Sequence, residues 1–79
     1  MSPTVLRVGP YRFFFFSREE KRMHVHVMCG DGEAKYWIDP IVALADSTGL
    51  KPKQLTEIQK IVEEKRDEIE KGWKKHFPG

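Results

Sequence analysis

HVHVMCGDGEAKYWI, residues 24–38, is the stretch that decides how this chain folds. Residues 24–28 alternate valine with larger or polar side chains, and residues 33–38 alternate again. A period of two is typical of β-strands, because successive side chains point to opposite faces of a sheet. Gly-Asp-Gly at residues 30–32 favours a tight reversal between the two runs. The stretch therefore predicts a β-hairpin.

The alternation sorts the side chains of this hairpin into an apolar face and a polar face. Val25 and Val27 share a face with apolar residues of the second strand, namely Ala34, Tyr36 and Ile38. We expect this face to lie under a helix. The opposite face collects the chemically varied side chains, namely His24, His26, Met28, Glu33, Lys35 and Trp37.

Two further strands are predicted before the hairpin. Residues 4–8 (TVLRV) are short and rich in β-branched side chains, and a Gly-Pro pair ends them. Residues 11–17 (YRFFFFS) form an aromatic run with two phenylalanine rings for each face of a sheet, which predicts an interior strand. Residues 18–22 (REEKR) carry five successive charges and are expected to form a solvated connection.

The remaining sequence predicts an edge strand and a long helix. Residues 41–46 (IVALAD) favour a fifth, edge strand, with a helical turn as the alternative. Residues 52–77 place apolar side chains three and four apart, which predicts one helix close to 40 Å long at about 1.5 Å per residue. Gly72 within it marks either a close contact or early fraying. We expect Trp73 and Phe77 at its end to overhang the sheet and to contact a partner.

Length and composition limit the class of protein. Seventy-nine residues of 9.3 kDa predict a single domain, residues 1–79. Its expected class is α+β, with an antiparallel sheet of four or five strands (residues 4–46) packed on one long C-terminal helix (about 52–77). The chain contains no apolar run of about 20 residues and no signal-peptide pattern, so we expect a cytoplasmic protein without membrane contact. A net charge of +2 permits nucleic-acid binding but does not indicate it.

A metal site is one interpretation of the polar face. His24 and His26, two apart on a strand, can share an ion, but zinc takes three or four protein ligands. Glu33, Cys29 or His76 would have to complete the set. The single cysteine excludes a disulfide framework within the chain. We expect no metal and no cofactor.

RNA cleavage without a metal is the second interpretation. His24 or His26 would act as general acid or base, and Lys35 would stabilise phosphate charge. The side chains expected to contact the nucleic acid are Arg12, Arg22, Lys35 and Trp37.

Protein binding is the third interpretation, with Trp37, Trp73 and Phe77 as contact residues, because binding hot spots favour aromatic side chains and arginine. Against all three stands a simpler alternative. Histidines on an exposed strand are compatible with an ordinary polar surface, as in a structural homodimer without catalysis.

From Pro3 to Phe77 the chain resembles the small prokaryotic domain-of-unknown-function family 4160. The resemblance is carried by the following motifs: PTVLR, GPYRFFFFS, HVHV, GDGEAKYWIDP, VALADSTGL and IVEEKRDEIEKGWKKHF. The chain departs from the family pattern at Met23, where proline usually precedes HVHV, and at Lys51, where a capping serine is common.

This resemblance implies that the chain binds a protein partner, and it does not indicate a reaction that the chain catalyses. Genes of the family often lie beside the gene of another very small domain, an arrangement similar to toxin–antitoxin pairs. We therefore expect a partner-binding component of such a two-gene module, either a homo-oligomer or bound to the small protein from the neighbouring gene. RNA stays open as a partner, and a ribonuclease toxin is the alternative.

Overall fold

A computed structural model describes residues 4–15 and 22–77 of the chain. These residues form five β-strands followed by two α-helices. In chain order the elements are β1 (Thr4–Val8), β2 (Tyr11–Phe14), β3 (His24–Cys29), β4 (Gly32–Trp37), β5 (Ala43–Thr48), α1 (Pro52–Glu64) and α2 (Arg66–His76).

The strands form one antiparallel sheet in the order β1-β2-β3-β4-β5. The predicted hairpin is confirmed as β3 and β4, with His26 directly opposite Lys35. The fifth strand is also confirmed, as an edge strand that begins and ends two residues later than residues 41–46 suggested. The helical alternative for this segment is wrong.

The aromatic strand is shorter than predicted. β2 ends at Phe14, and Phe15 follows it outside the ladder. The end of the predicted strand at residues 16–17 and most of the charged connection, residues 18–21, lie outside the described residues. β2 pairs with β1 on one side and β3 on the other, so the expectation of an interior strand is confirmed.

Both helices lie on the valine side of the sheet, where the hydrophobic core is formed. Tyr36 is fully buried there, and its hydroxyl donates a hydrogen bond to the Leu55 carbonyl oxygen at 2.8 Å. The buried cluster consists of Tyr11, Phe13, Phe15, Val25, Val27, Ala34, Tyr36, Ile38, Ile58, Val62, Ile69 and Trp73. Alternation therefore placed the two valines on the correct face.

The expectation of one long helix is wrong, because the helix is interrupted at Lys65 (φ −101°, ψ 14°). Hydrogen bonds still connect the two parts, from Lys65 N to Ile61 O (2.8 Å) and from Ile69 N to Lys65 O (3.0 Å). At the start of α2, Arg66 Nη2 donates to the Pro40 carbonyl oxygen at 3.2 Å, which fixes this helix against the loop before β5.

The expected overhang of the helix end is also wrong. Trp73 is only 8% exposed, and its ring centroid lies 5.4 Å from that of Phe15 in an edge-to-face arrangement. Gly72 permits this packing, since a Cβ there would lie 3.3 Å from Val5 Cγ1. Of the two interpretations of Gly72, the close contact is the correct one. Phe77 is half-buried against Trp73, with ring centroids 4.4 Å apart.

Neither helix of the described chain is long and apolar enough to cross a membrane.

Candidate functional site

The sheet surface opposite the helices, here called the outer face, carries the candidate site. Alternation along β2, β3 and β4 places on this face Arg12, Phe14, His24, His26, Met28, Glu33, Lys35 and Trp37. The register sets His24 opposite Trp37 and Phe14 opposite His26. The structure thus brings together the four side chains that the sequence singled out in the hairpin.

His24 is placed differently from our expectation, because its imidazole is fully buried rather than exposed on a strand face. Its ring centroid lies 5.6 Å from that of Trp37 and 5.1 Å from that of Trp73. Nδ1 is 2.7 Å from the Arg22 carbonyl oxygen. Because a carbonyl oxygen only accepts, Nδ1 carries the proton in this contact. His24 begins β3, so it lies at the end of the sheet where the indole of α2 reaches it.

His26 occupies the middle of an aromatic row across β2 and β3. Its ring stacks on Phe14, with centroids 5.6 Å apart and an interplanar angle of 25°, and meets the His24 ring edge-on at 5.1 Å. Phe14 is 3% exposed, and the Arg12 guanidinium lies 4.9 Å from its ring centroid. His26 itself stays half-buried, so it is the histidine of β3 that remains accessible to a ligand.

Two cations lie against the indole of Trp37. Arg22 Cζ is 4.3 Å and Lys35 Nζ is 4.5 Å from the Trp37 ring centroid. Arg22 Nε also donates to the Asp39 carbonyl oxygen at 3.0 Å. Each cation–π contact at a partly exposed position stabilises the arrangement by roughly 0.5–1 kcal/mol. Trp37 is half-buried and Arg22 is exposed, so this group is accessible from solvent.

Beside this group, a cavity of about 150 Å³ opens between β3, β4 and β5. Its charged and titratable lining side chains are His26, Glu33, Lys35 and Asp46. Lys35 lies directly opposite Asp46 in the sheet. The cavity therefore combines a histidine with charges of both signs.

The metal interpretation finds no ligand set in the part of the chain that the structure describes. No group of three or more His, Cys, Asp or Glu side chains there could hold a metal ion. Cys29 Sγ lies 3.8 Å from Gln54 Nε2, next to α1 rather than to the histidines. His76 stacks on Phe15, with ring centroids 5.9 Å apart.

Of the four side chains predicted to contact a nucleic acid, three lie together and the fourth does not. Arg22 and Lys35 meet on Trp37, whereas Arg12 lies on β2, where its Nε donates to Thr4 Oγ1 at 2.8 Å. Arg7 on β1 lies opposite Arg12 and extends the basic character of that side.

Two tyrosines of the core have raised pKa values. The hydrogen bond from the Tyr11 hydroxyl to Glu57 Oε2 (2.8 Å), with burial as a smaller cause, raises the Tyr11 pKa to about 12. Burial raises the pKa of Tyr36. The hydrogen bonds that these two hydroxyls donate to Glu57 and to the Leu55 carbonyl oxygen connect the sheet to helix α1.

The sequence of the chain matches the family model described as Domain of unknown function (DUF4160) over residues 11–74. The chain belongs to this family. The DUF4160 match spans the outer face, helix α1 and helix α2 as far as Lys74, so it covers the candidate site and the core that supports it. No curated protein and no solved structure gave a significant match to the chain.

Sequence reasoning missed two contributors to the site of this DUF4160 chain. Phe14 was treated only as part of the aromatic run and not as a site residue, although its spacing of two from Arg12 is the signal that puts it on the outer face. Asp39 acts through its backbone carbonyl oxygen, which anchors Arg22. Any residue type offers that group, so no sequence signal reveals it.

Proposed function

We propose that this protein is the partner-binding component of a two-gene, toxin–antitoxin-like module and that its outer face receives the partner. One observation carries the proposal: a half-buried indole, Trp37, is in contact with both the exposed guanidinium of Arg22 and the ammonium of Lys35. Tryptophan and arginine dominate the energetics of protein interfaces, chiefly where a rigid aromatic group is surrounded by contacts that exclude water.

The packing around Trp37 supports a binding role. The buried His24 lies against its ring, and the backbone N–H of the next residue, Ile38, donates to the Met23 carbonyl oxygen at 3.0 Å. The indole is therefore fixed before any partner arrives, which lowers the entropic cost of association. Trp73 no longer supports partner binding, because it is buried in the core of its own chain. Phe77 is half-buried and is a secondary candidate.

Co-purification with the product of the neighbouring gene tests the proposal, with size exclusion and light scattering to give stoichiometry. Trp37→Ala should weaken the complex by about tenfold or more, as expected for a hot-spot residue. Ile41→Ala is the matched control, since Ile41 is exposed but lies outside the outer face. A wild-type chain that elutes alone, or as a homodimer that excludes the neighbour, contradicts the proposal.

A metal-independent ribonuclease is the second candidate, favoured by the cavity that His26 and Lys35 share. A general acid or base must reach the substrate, and the buried His24 does not. His26 would move the proton and Lys35 would stabilise the phosphate. His26→Gln should then abolish RNA cleavage and growth arrest, whereas His76→Gln should not. Unchanged toxicity of His26→Gln would eliminate this candidate.

A further inference from the structure

We infer that the outer face recognises an acidic segment of its protein partner and that Arg22 binds a carboxylate of that segment. This inference rests on the proposed function, because it names the chemistry of the partner for the same site.

Arg22 is held in place by three contacts. Its Nε donates to the Asp39 carbonyl oxygen (3.0 Å), its guanidinium lies on Trp37 (4.3 Å), and its backbone carbonyl oxygen accepts the His24 Nδ1 proton (2.7 Å). Within the described chain, the Arg22 side chain makes one hydrogen bond, through Nε. The two terminal nitrogens, Nη1 and Nη2, are therefore available to a partner.

The terminal nitrogens of arginine match the two oxygens of a carboxylate in a planar, bidentate arrangement. Arg22 is exposed, yet its side chain is already ordered by Trp37 and Asp39. An exposed arginine normally loses rotamer freedom when it binds, and this loss offsets much of the Coulomb gain. Fixing the guanidinium in advance removes most of that cost.

The surroundings favour an acidic protein segment over RNA. Stacking of a base requires an open aromatic face, whereas two cations already lie against the indole of Trp37. Glu33 and Asp46 line the neighbouring cavity, so a continuous phosphate backbone would meet carboxylates there. A net charge of +2 is also small for a protein that binds a polyanion. A short segment with one or two carboxylates needs no open aromatic face, does not have to extend past Glu33 and Asp46, and requires little net positive charge.

The test is an NMR titration of the isotope-labelled chain with three probes: a six-residue glycine peptide with blocked termini and two central glutamates, the same peptide with two central lysines, and a ten-nucleotide oligouridine. We expect the glutamate peptide to shift the Arg22 Nε–H and Trp37 indole N–H resonances and the lysine peptide to leave them unchanged. Because exposed charges are screened, the glutamate affinity should fall as salt is raised from about 0.05 to about 0.3 M.

Variants locate the contact on Arg22. Arg22→Gln should weaken the affinity for the glutamate peptide about fivefold. Arg22→Lys should weaken it less, because lysine keeps the positive charge but lacks the paired terminal nitrogens that bind a carboxylate in a bidentate manner. Lys60→Gln, the same loss of charge on exposed α1, is the control and should change the affinity less than twofold. Circular dichroism checks that each variant folds.

Three results would overturn the inference: no shift at Arg22 and Trp37 with the glutamate peptide, equal losses for Arg22→Gln and Lys60→Gln, or tighter binding of oligouridine than of the glutamate peptide at the same salt. Co-purification separates this failure from failure of the proposed function. A complex with the neighbouring protein that Arg22→Gln leaves intact refutes the carboxylate contact alone. Peptide binding without any such complex refutes the two-gene module alone.

Discussion

Tyr11 and Tyr36 are the two tyrosines of the chain, and neither should ionise in the folded protein at the pH where a free tyrosine does. The hydrogen bond to Glu57 raises the Tyr11 pKa to about 12, and burial raises the pKa of Tyr36. A spectrophotometric titration should therefore detect little tyrosinate near pH 10 in the folded chain. The same chain in urea should be about half ionised at that pH.

The raised pKa of Tyr11 determines how the free energy of unfolding depends on pH. A folded-state pKa above the unfolded value of about 10 means that folding favours the protonated hydroxyl. The stabilisation is complete below pH 10 or so and is lost as the pH rises through about 12. Two pKa units correspond to at most ~2.7 kcal/mol. Because Glu57 is exposed, solvent screening lowers the expected contribution to about 1 kcal/mol.

Urea unfolding at about pH 8 and about pH 11 measures about half of this loss, because pH 11 lies midway between the unfolded-state pKa of about 10 and the folded-state pKa of about 12. Glu57→Gln should reduce the difference in unfolding free energy between the two pH values, because the neutral amide no longer favours the protonated phenol. Glu63→Gln, a substitution at another exposed acid of α1, should leave it unchanged. A tyrosine that titrates near pH 10 while circular dichroism still shows the folded chain would refute the reasoning.

Two further predictions concern packing, and both are measured by urea unfolding. Gly32→Ala should destabilise the fold by about 2–3 kcal/mol, because its Cβ would lie 2.7 Å from the Gly49 carbonyl oxygen and 2.6 Å from Leu50 Cδ2. Glu33→Ala, at an exposed position, is the control. Equal losses of unfolding free energy in the two variants would contradict the close approach. Trp73→Ala should cost about 3–5 kcal/mol and the half-buried Trp37→Ala clearly less, and the reverse order would show that Trp73 is not part of the core.

The sequence predicted the faces of the sheet correctly because alternation is a local property. Val25 and Val27 point to the core wherever the strand lies, so the pattern needs no knowledge of the partner elements. Depth is different. Burial of His24 depends on Trp73, which lies 49 positions further along the chain, and no local pattern records that contact.

The break at Lys65 was hidden for a related reason. Apolar side chains keep their spacing of three and four through the break, and the backbone hydrogen bonds on either side continue. The contact between Arg66 and the Pro40 carbonyl oxygen is tertiary, so periodicity does not reveal it. Arg22 shows the same limit: its charged neighbours suggest solvent, whereas its position is set by Trp37 and by a backbone oxygen.

The position of His24 has a practical consequence for spectroscopy. The only two tryptophans of the chain both have rings within 6 Å of this one imidazole, so their emission reports a single corner of the molecule. The same fluorescence signal would therefore change when a ligand binds to one side of the sheet and when the last helical turns unfold on the other. Replacing either indole with phenylalanine separates them, giving one optical probe for recognition and another for unfolding.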